Sequence, residues 1–206
     1  MTESFMIQVP CSTANLGSGF DTISAALSLR LSLRVRPLEG SVVEWVQDSE
    51  ASSILPGEDN LIQKSLYKTL KFLGVKDCGL RIEMQDLIPL KRGLGSSAAA
   101  IIAGIKIAEG ITGVSFEDQE VFDLALPMEG HPDNLAASLL GGWVLSRVSN
   151  GRMLAEQLES PLTCQFVVCI PETPISTSEA RSILPEKYPL KDVTFNLQRC
   201  ALLVHA

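Results

Sequence analysis

Residues Ala98–Gly110 read Ala-Ala-Ala-Ile-Ile-Ala-Gly-Ile-Lys-Ile-Ala-Glu-Gly, the most hydrophobic run in the chain. As a helix this run is apolar almost all round, so it has no face for water and must be buried centrally. The rest of the chain has to supply the elements that bury it, and it offers both kinds. Ser24–Val35 alternates in its second half, with Leu29, Leu31, Leu33 and Val35 on one side and Arg30, Ser32 and Arg34 on the other. A period of two is that of a half-buried strand. Phe5–Val9 (ended by Pro10), Val42–Val46, Gly79–Met84, Trp143–Val148 and the continuous apolar Phe166–Ile170 are further strand candidates. Leu61–Leu73 (closed by Gly74), Glu117–Met128, Ser178–Leu184 and the run from Val193 onward read as helices. Ser49–Asn60 is polar, with Pro56-Gly57 as a turn.

Charge and size narrow the function. With 24 acidic against 17 basic residues the chain carries a formal charge of −7, leaving no basic excess to neutralise phosphates. A nonspecific nucleic-acid or acidic-membrane binder is thereby excluded. No apolar run approaches the roughly 20 residues of a membrane span. The start, Met1-Thr2-Glu3-Ser4-Phe5, has no positive n-region, so the cytosol is the expected compartment. Five cysteines (Cys11, Cys78, Cys164, Cys169 and Cys200) include no CxxC pair, and their odd number speaks for reduced, structural thiols. Two histidines, His131 and His205, are too few for a zinc site. A length of 206 residues allows one large or two small domains, with a change of subdomain near Glu159–Thr163.

Three segments carry polar groups where packing does not ask for them. The first is Pro89-Leu-Lys-Arg-Gly-Leu-Gly-Ser-Ser-Ala-Ala-Ala100, which runs directly into the apolar helix. Its glycines let the backbone turn tightly, Ser96 and Ser97 can cap the helix, and the free N–H groups of the first turn suit an anion such as phosphate. An ordinary capped helix is the competing reading, and the Walker A pattern is absent. The second is Met128-Glu-Gly-His-Pro-Asp-Asn134, followed by Gly141-Gly142, where two carboxylates, an imidazole and an amide crowd together. These groups suit a metal or a polar substrate, although Pro132-Asp133-Asn134 is also good turn chemistry. The third, Val9 through Thr22, is a glycine-containing polar loop that by itself is no more than a surface connection.

Taken together and in their order along the chain, the three segments resemble the homoserine kinase family of the GHMP kinase superfamily. A fourth match is Ser176-Thr-Ser-Glu-Ala-Arg-Ser-Ile-Leu-Pro185, similar to that family's Thr/Arg segment. The resemblance runs from residue 7 to about 199. It implies an α+β fold: a two-layer ATP-binding domain over residues 1–160 and the incomplete start of a ferredoxin-like domain over 161–206. It implies ATP and L-homoserine as substrates, with Mg²⁺ as the cofactor. By the same resemblance Pro89, Gly93, Leu94, Gly95, Ser96, Ser97 and Ala98 hold the ATP phosphates, and Asn60 lies near the adenosine. Ser97 is also placed near Mg²⁺. The metal's carboxylate falls on Asp123, eight residues before His131, with Glu129 the runner-up. Asp21 matches a partner for the acceptor's ammonium and Arg181 one for its carboxylate. Asn15, His131, Asp133 and Asn134 match residues around the reacting hydroxyl. Thr177, one helical turn before Arg181, joins them as an orienting residue.

The resemblance also carries departures. The superfamily's third, glycine-rich motif has no match here, and neither does a second carboxylate-binding arginine. The family's chains run well beyond 206 residues, so the second domain is expected to be incomplete. Val167, Ile170, Leu197 and Leu202 are then left without cover. Two other readings stand beside the kinase: an inactive nucleotide-binding fragment, and a GHMP kinase acting on a different small alcohol. Neither a nucleic-acid nor a membrane partner is expected, and a homodimer is compatible with the sequence.

Overall fold

A computed structural model describes residues 3–47, 60–76, 78–159, 165–173 and 177–205. The expected turn at 49–59, Cys164, Ser176 and the boundary at 160/161 lie outside them. Among the described residues there are six strands and six helices: β1 (Phe5–Asn15), β2 (Gly19–Leu38), β3 (Val43–Gln47), α1 (Leu61–Phe72), β4 (Gly79–Asp86), α2 (Ser96–Thr112), α3 (Asp118–Glu129), α4 (Pro132–Leu140), β5 (Trp143–Ser149), β6 (Arg152–Leu158), α5 (Thr177–Ser182) and α6 (Leu190–His205). None of these helices is long and apolar enough to cross a membrane.

The 20-residue β2 organises one sheet. β1 runs antiparallel along one of its edges, while β4 (opposite Leu31–Leu38) and β5 (opposite Ile23–Ala25) share the other. β3 lies parallel outside β4, and β6 lies antiparallel outside β5. The alternation read from the sequence decides which face is buried. Leu31, Leu33 and Val35 sit opposite Val9, Ile7 and Phe5 on β1, and Val35 and Leu33 sit opposite Ile82 and Met84 on β4. The outer face carries exposed ion pairs, Arg34–Glu83 and Arg81–Glu44, at 3.8 and 3.9 Å.

Helices α1 to α4 form the second layer, and α2 is its centre. Ten residues of α2 are buried, including Ile101, Ile102, Ile105 and Ile107. Each such isoleucine contributes on the order of 2 kcal/mol by leaving water. Helix α1 starts where Asn60 accepts from the N–H groups of Ile62 and Gln63 at 3.0 and 3.2 Å, a side-chain cap. It crosses α2 at Gly104, where an added Cβ would meet the Ile62 carbonyl and lie 2.7 Å from Ser65 Cβ. The Ser65 hydroxyl donates to the Ile101 carbonyl at 2.7 Å across the same crossing.

Several expectations change. β1 does not stop at Pro10 but continues to Asn15. Proline is tolerated because β1 pairs on one side only. Leu29 is exposed, unlike Leu31 and Leu33. The register slips there: β1 advances from Pro10 to Ser12 while β2 goes from Arg30 to Ala26, so Leu29 has no cross-strand partner. β6 had no counterpart in the sequence reading, although Asn150-Gly151, with φ of 53° and 75°, is a two-residue hairpin turn. The Pro132-Asp133-Asn134 turn is the first turn of α4, with Pro132 at its opening position. Phe166–Ile170 forms no strand and joins no ladder among the described residues; the Phe166 ring instead lies 5.5 Å from that of Trp143. Val167, Ile170, Leu197 and Leu202 are exposed, and α6 buries no residue.

Gly104→Ala is expected to destabilise the chain by about 1–3 kcal/mol through the collision with α1, although alanine is the better helix former by about 1 kcal/mol. Urea denaturation checks the sign.

Candidate active site

The site lies where the N-termini of α2 and α4 meet. Loop 89–95 delivers the chain to α2 through Gly93 and Gly95, with φ of 71° and 65°. Gly95 itself is the N-cap, and no side chain caps this helix. The expected capping by Ser96 and Ser97 is therefore not observed. Ser97 Oγ instead donates to Glu129 Oε1 at 2.6 Å. The first-turn N–H groups of α2 thus keep their positive potential without a side-chain partner, as an anion site requires.

Gly95 has to be glycine for a second reason. A methyl group on its Cα would strike Ser12 Oγ and come within 2.9 Å of Asn134 Oδ1. Ser12 Oγ donates to Asn134 Oδ1 at 2.8 Å, and Ser12 N donates to the Leu94 carbonyl at 3.1 Å. One contact therefore joins β1, the glycine loop and α4, the three segments that the sequence had marked separately. From the β2 side, Ser24 Oγ donates to the Asp133 carbonyl at 2.6 Å and ties α4 to that strand.

That loop is held in an uncommon conformation. Asn15, Leu16 and Asp21 have φ of 71°, 39° and 52°. Asn and Asp tolerate this region better than most residues, and such positions concentrate at functional sites. Asn15 Oδ1 accepts from Asp21 N at 2.9 Å, closing the loop and aiming the Asp21 side chain. Arg181 of α5 donates through Nη2 to Asp21 Oδ1 and lies over the Phe20 ring, 5.0 Å from its centroid. Its Nε is buried and has no hydrogen-bond partner among the described residues. Asn196 Nδ2 donates to the Ser18 carbonyl at 3.0 Å, bringing α6 to the same loop.

Electrostatics identify the residues that face one another. Burial pushes the Asp133 carboxyl above its ordinary range and the Asp21 charge adds to this, while the Asn134 N–H and His131 act against it. Glu129 is also pushed up, first by burial; its hydrogen bond from Ser97 and the nearby His131 oppose the shift, and Asp133 adds to it. His131, the N-cap of α4, makes no side-chain capping bond. Asp21, Glu129, His131 and Asp133 thus form one electrostatic group.

Asp123 does not join it. Its carboxylate accepts from Gln119 Nε2 at 2.9 Å and lies 3.7 Å from Arg152 Nε, beside β6. Six residues along a helix amount to about 600° of rotation, so α3 sends Asp123 and Glu129 out roughly 120° apart. The expectation that Asp123 reaches the phosphate loop is replaced by the Glu129–Ser97 contact. Asn60 is committed to its cap, 2% exposed. Thr177 opens α5 and is exposed. Ser12 and Phe20 were not singled out from the sequence. The signal for Ser12 was its place in a polar motif immediately after Pro10, where consecutive Cys11 and Ser12 are both buried against the alternation of a strand.

Residues 60–142 match the family model of the GHMP kinases N-terminal domain. A homoserine kinase of Moorella thermoacetica is 38% identical over 202 residues, spanning 98% of this chain and 68% of that protein. The chain belongs to the homoserine kinase family. Another member, from Clostridium kluyveri, is 36% identical over 97% of this chain, which spans 66% of its length. The crystal structure of a homoserine kinase from Cytophaga hutchinsonii superposes with a TM-score of 0.83 at 27% identity, over 100% of this chain and 67% of that one. The chain thus spans about two thirds of the length of its relatives, and family membership rests on that shared part.

The raised Asp133 carboxyl has a consequence for stability. A carboxyl whose folded value lies above its unfolded one favours the fold most below the ordinary value, and that contribution is lost as pH rises through the folded value. Asp133→Asn is therefore expected to raise the melting temperature at neutral pH, with the gain vanishing below about pH 4, the ordinary range of a carboxyl. Thermal melts across pH check this.

Proposed function

We propose that the chain transfers the ATP γ-phosphate to the side-chain hydroxyl of L-homoserine, giving O-phospho-L-homoserine and ADP, the step that serves threonine biosynthesis. The observation that carries this reading is the junction at Gly95. It brings an uncapped helix N-terminus, suited to phosphate, against Asn134 and beside the interacting residues Asp21, Glu129, His131 and Asp133.

Phosphoryl transfer asks for positioning and charge neutralisation more than for covalent chemistry. The backbone of residues 93–98 and the α2 dipole hold the phosphates. Asn60 shapes the nucleotide side through α1, and Pro89 sets the entry to the loop. Asp21 takes the ammonium of the acceptor and Arg181 its carboxylate, using the buried Nε that has no acceptor among the described residues. Asn134 donates at the reacting oxygens, His131 and Asp133 set the field around them, and Asn15 keeps Asp21 in place. Thr177 shares the face of α5 with Arg181 and orients the acceptor. No residue is assigned as a general base, because a loose transition state makes little demand for one.

The donor set fits Mg²⁺. Ser97 Oγ and Glu129 Oε1 are two hard oxygens beside the loop, and no cluster of three metal-binding side chains exists among the described residues. Mg²⁺ typically takes one or two protein ligands and completes its shell with phosphate and water, so Ser97 and Glu129 suffice. When bound, the cation neutralises phosphate charge; it would also favour the ionised form of Glu129.

Purified chain given ATP and L-homoserine should release ADP in a coupled assay and form O-phospho-L-homoserine, seen by phosphorus NMR. ATP binding without turnover would instead identify a nucleotide-binding module, and turnover only with other alcohols a different GHMP kinase. Asp21→Asn should raise KM for homoserine about tenfold or more while leaving KM for ATP unchanged, because one charge-assisted contact is lost. Glu129→Gln should raise the Mg²⁺ concentration needed for half-maximal rate, whereas Asp123→Asn should leave it unchanged. Metal titrations of both variants check the assignment.

A further inference from the structure

Asn134 is useful to a phosphoryl group or a hydroxyl oxygen only if its amide nitrogen, and not its carbonyl, faces the ligand. A carboxamide has two nearly equivalent orientations about its last torsion, so something must choose between them. Ser12 is fully buried at 0% exposure, and its hydroxyl hydrogen goes to Asn134 Oδ1. Were the carboxamide reversed, Ser12 Oγ would accept from Nδ2 and its own hydrogen would be left buried without an acceptor among the described residues, which is costly. Ser12 is itself fixed from two sides. Its N–H is held by the Leu94 carbonyl, and its Oγ packs against the open Cα of Gly95. The slip in register between Pro10 and Ser12 breaks the alternation of β1 and buries Ser12 directly after Cys11. Irregularities of this kind re-aim side chains beside active sites.

We infer that Ser12 is a positioning residue for the transfer, holding the Asn134 carboxamide with Oδ1 toward β1 and the Nδ2 hydrogens free for the phosphoryl group or the acceptor oxygen. The inference rests on the proposed kinase function and adds to it a residue that touches neither substrate. Because it acts through Asn134, its removal affects the rate and not nucleotide binding.

The test is a double-mutant cycle of Ser12→Ala and Asn134→Ala, read by kcat, by the affinity for Mg-AMP-PNP and by NMR of the Asn134 side-chain amide. Ser12→Ala is expected to lower kcat roughly ten- to a hundredfold, the scale of a misplaced catalytic contact, with AMP-PNP affinity changed by less than about twofold. Adding it to Asn134→Ala should cost nothing further, since the two act as one unit. In the wild-type chain Mg-AMP-PNP should shift the Asn134 Nδ2 resonances, and in Ser12→Ala that shift should be lost. Additive losses, an AMP-PNP affinity that falls in step with kcat, or equal amide shifts in both proteins would each overturn the inference. The amide reading needs no turnover, so a chain inactive toward homoserine overturns the proposed function while the NMR comparison still decides the role of Ser12.

Discussion

The body of helix α2, from Ala98 to Ala108, is apolar on nearly every face and packs against β1, α1, α3 and α4. The N–H groups of its first turn are the exception: they have no partner within the helix and must find one elsewhere. Burial of the helix body therefore fixes where its polar end emerges and leaves that end uncapped. The glycine loop, the strand edge and the start of α4 all gather around this point. In this sense the hydrophobic core and the candidate site are two consequences of one helix.

Charge within the site works against the fold. Asp133 and Glu129 are carboxylates held where burial disfavours their charged forms, and Asn15 and Asp21 adopt backbone conformations that most residues avoid. Nothing in the packing of the domain asks for these arrangements. They are the pattern expected where stability has been exchanged for a poised set of ligands. Arg181 and Asp21 add a pair of opposite charges beside the same group, the pair to which the proposed function gives the two ends of the acceptor.

The homoserine kinase family gives these features a common frame, and its members match this chain over nearly its whole length. The β2 alternation, the capped α1 and the apolar α2 were legible because their signals are local: a period, a cap, a composition. The site motifs were legible as segments for the same reason. Misreadings came where a distant partner decides. Leu29 obeys the alternation and is still exposed, because the register slips opposite Pro10. Phe166–Ile170 has the composition of a strand but no strand to pair with among the described residues.

Glu129 and Asp123 show the limit most directly. The family resemblance favoured Asp123 over Glu129, yet helical rotation turns Asp123 toward Arg152 and leaves Glu129 against Ser97. The sequence by itself determined that an apolar helix would be buried behind a glycine loop, and it marked three polar segments, each of which also had an ordinary structural reading. Only the tertiary structure decided that Ser12, Gly95 and Asn134 touch, and which carboxylate meets the loop. Those facts depend on strand register and on the angle at which side chains leave a helix, and neither is encoded in any short stretch of residues.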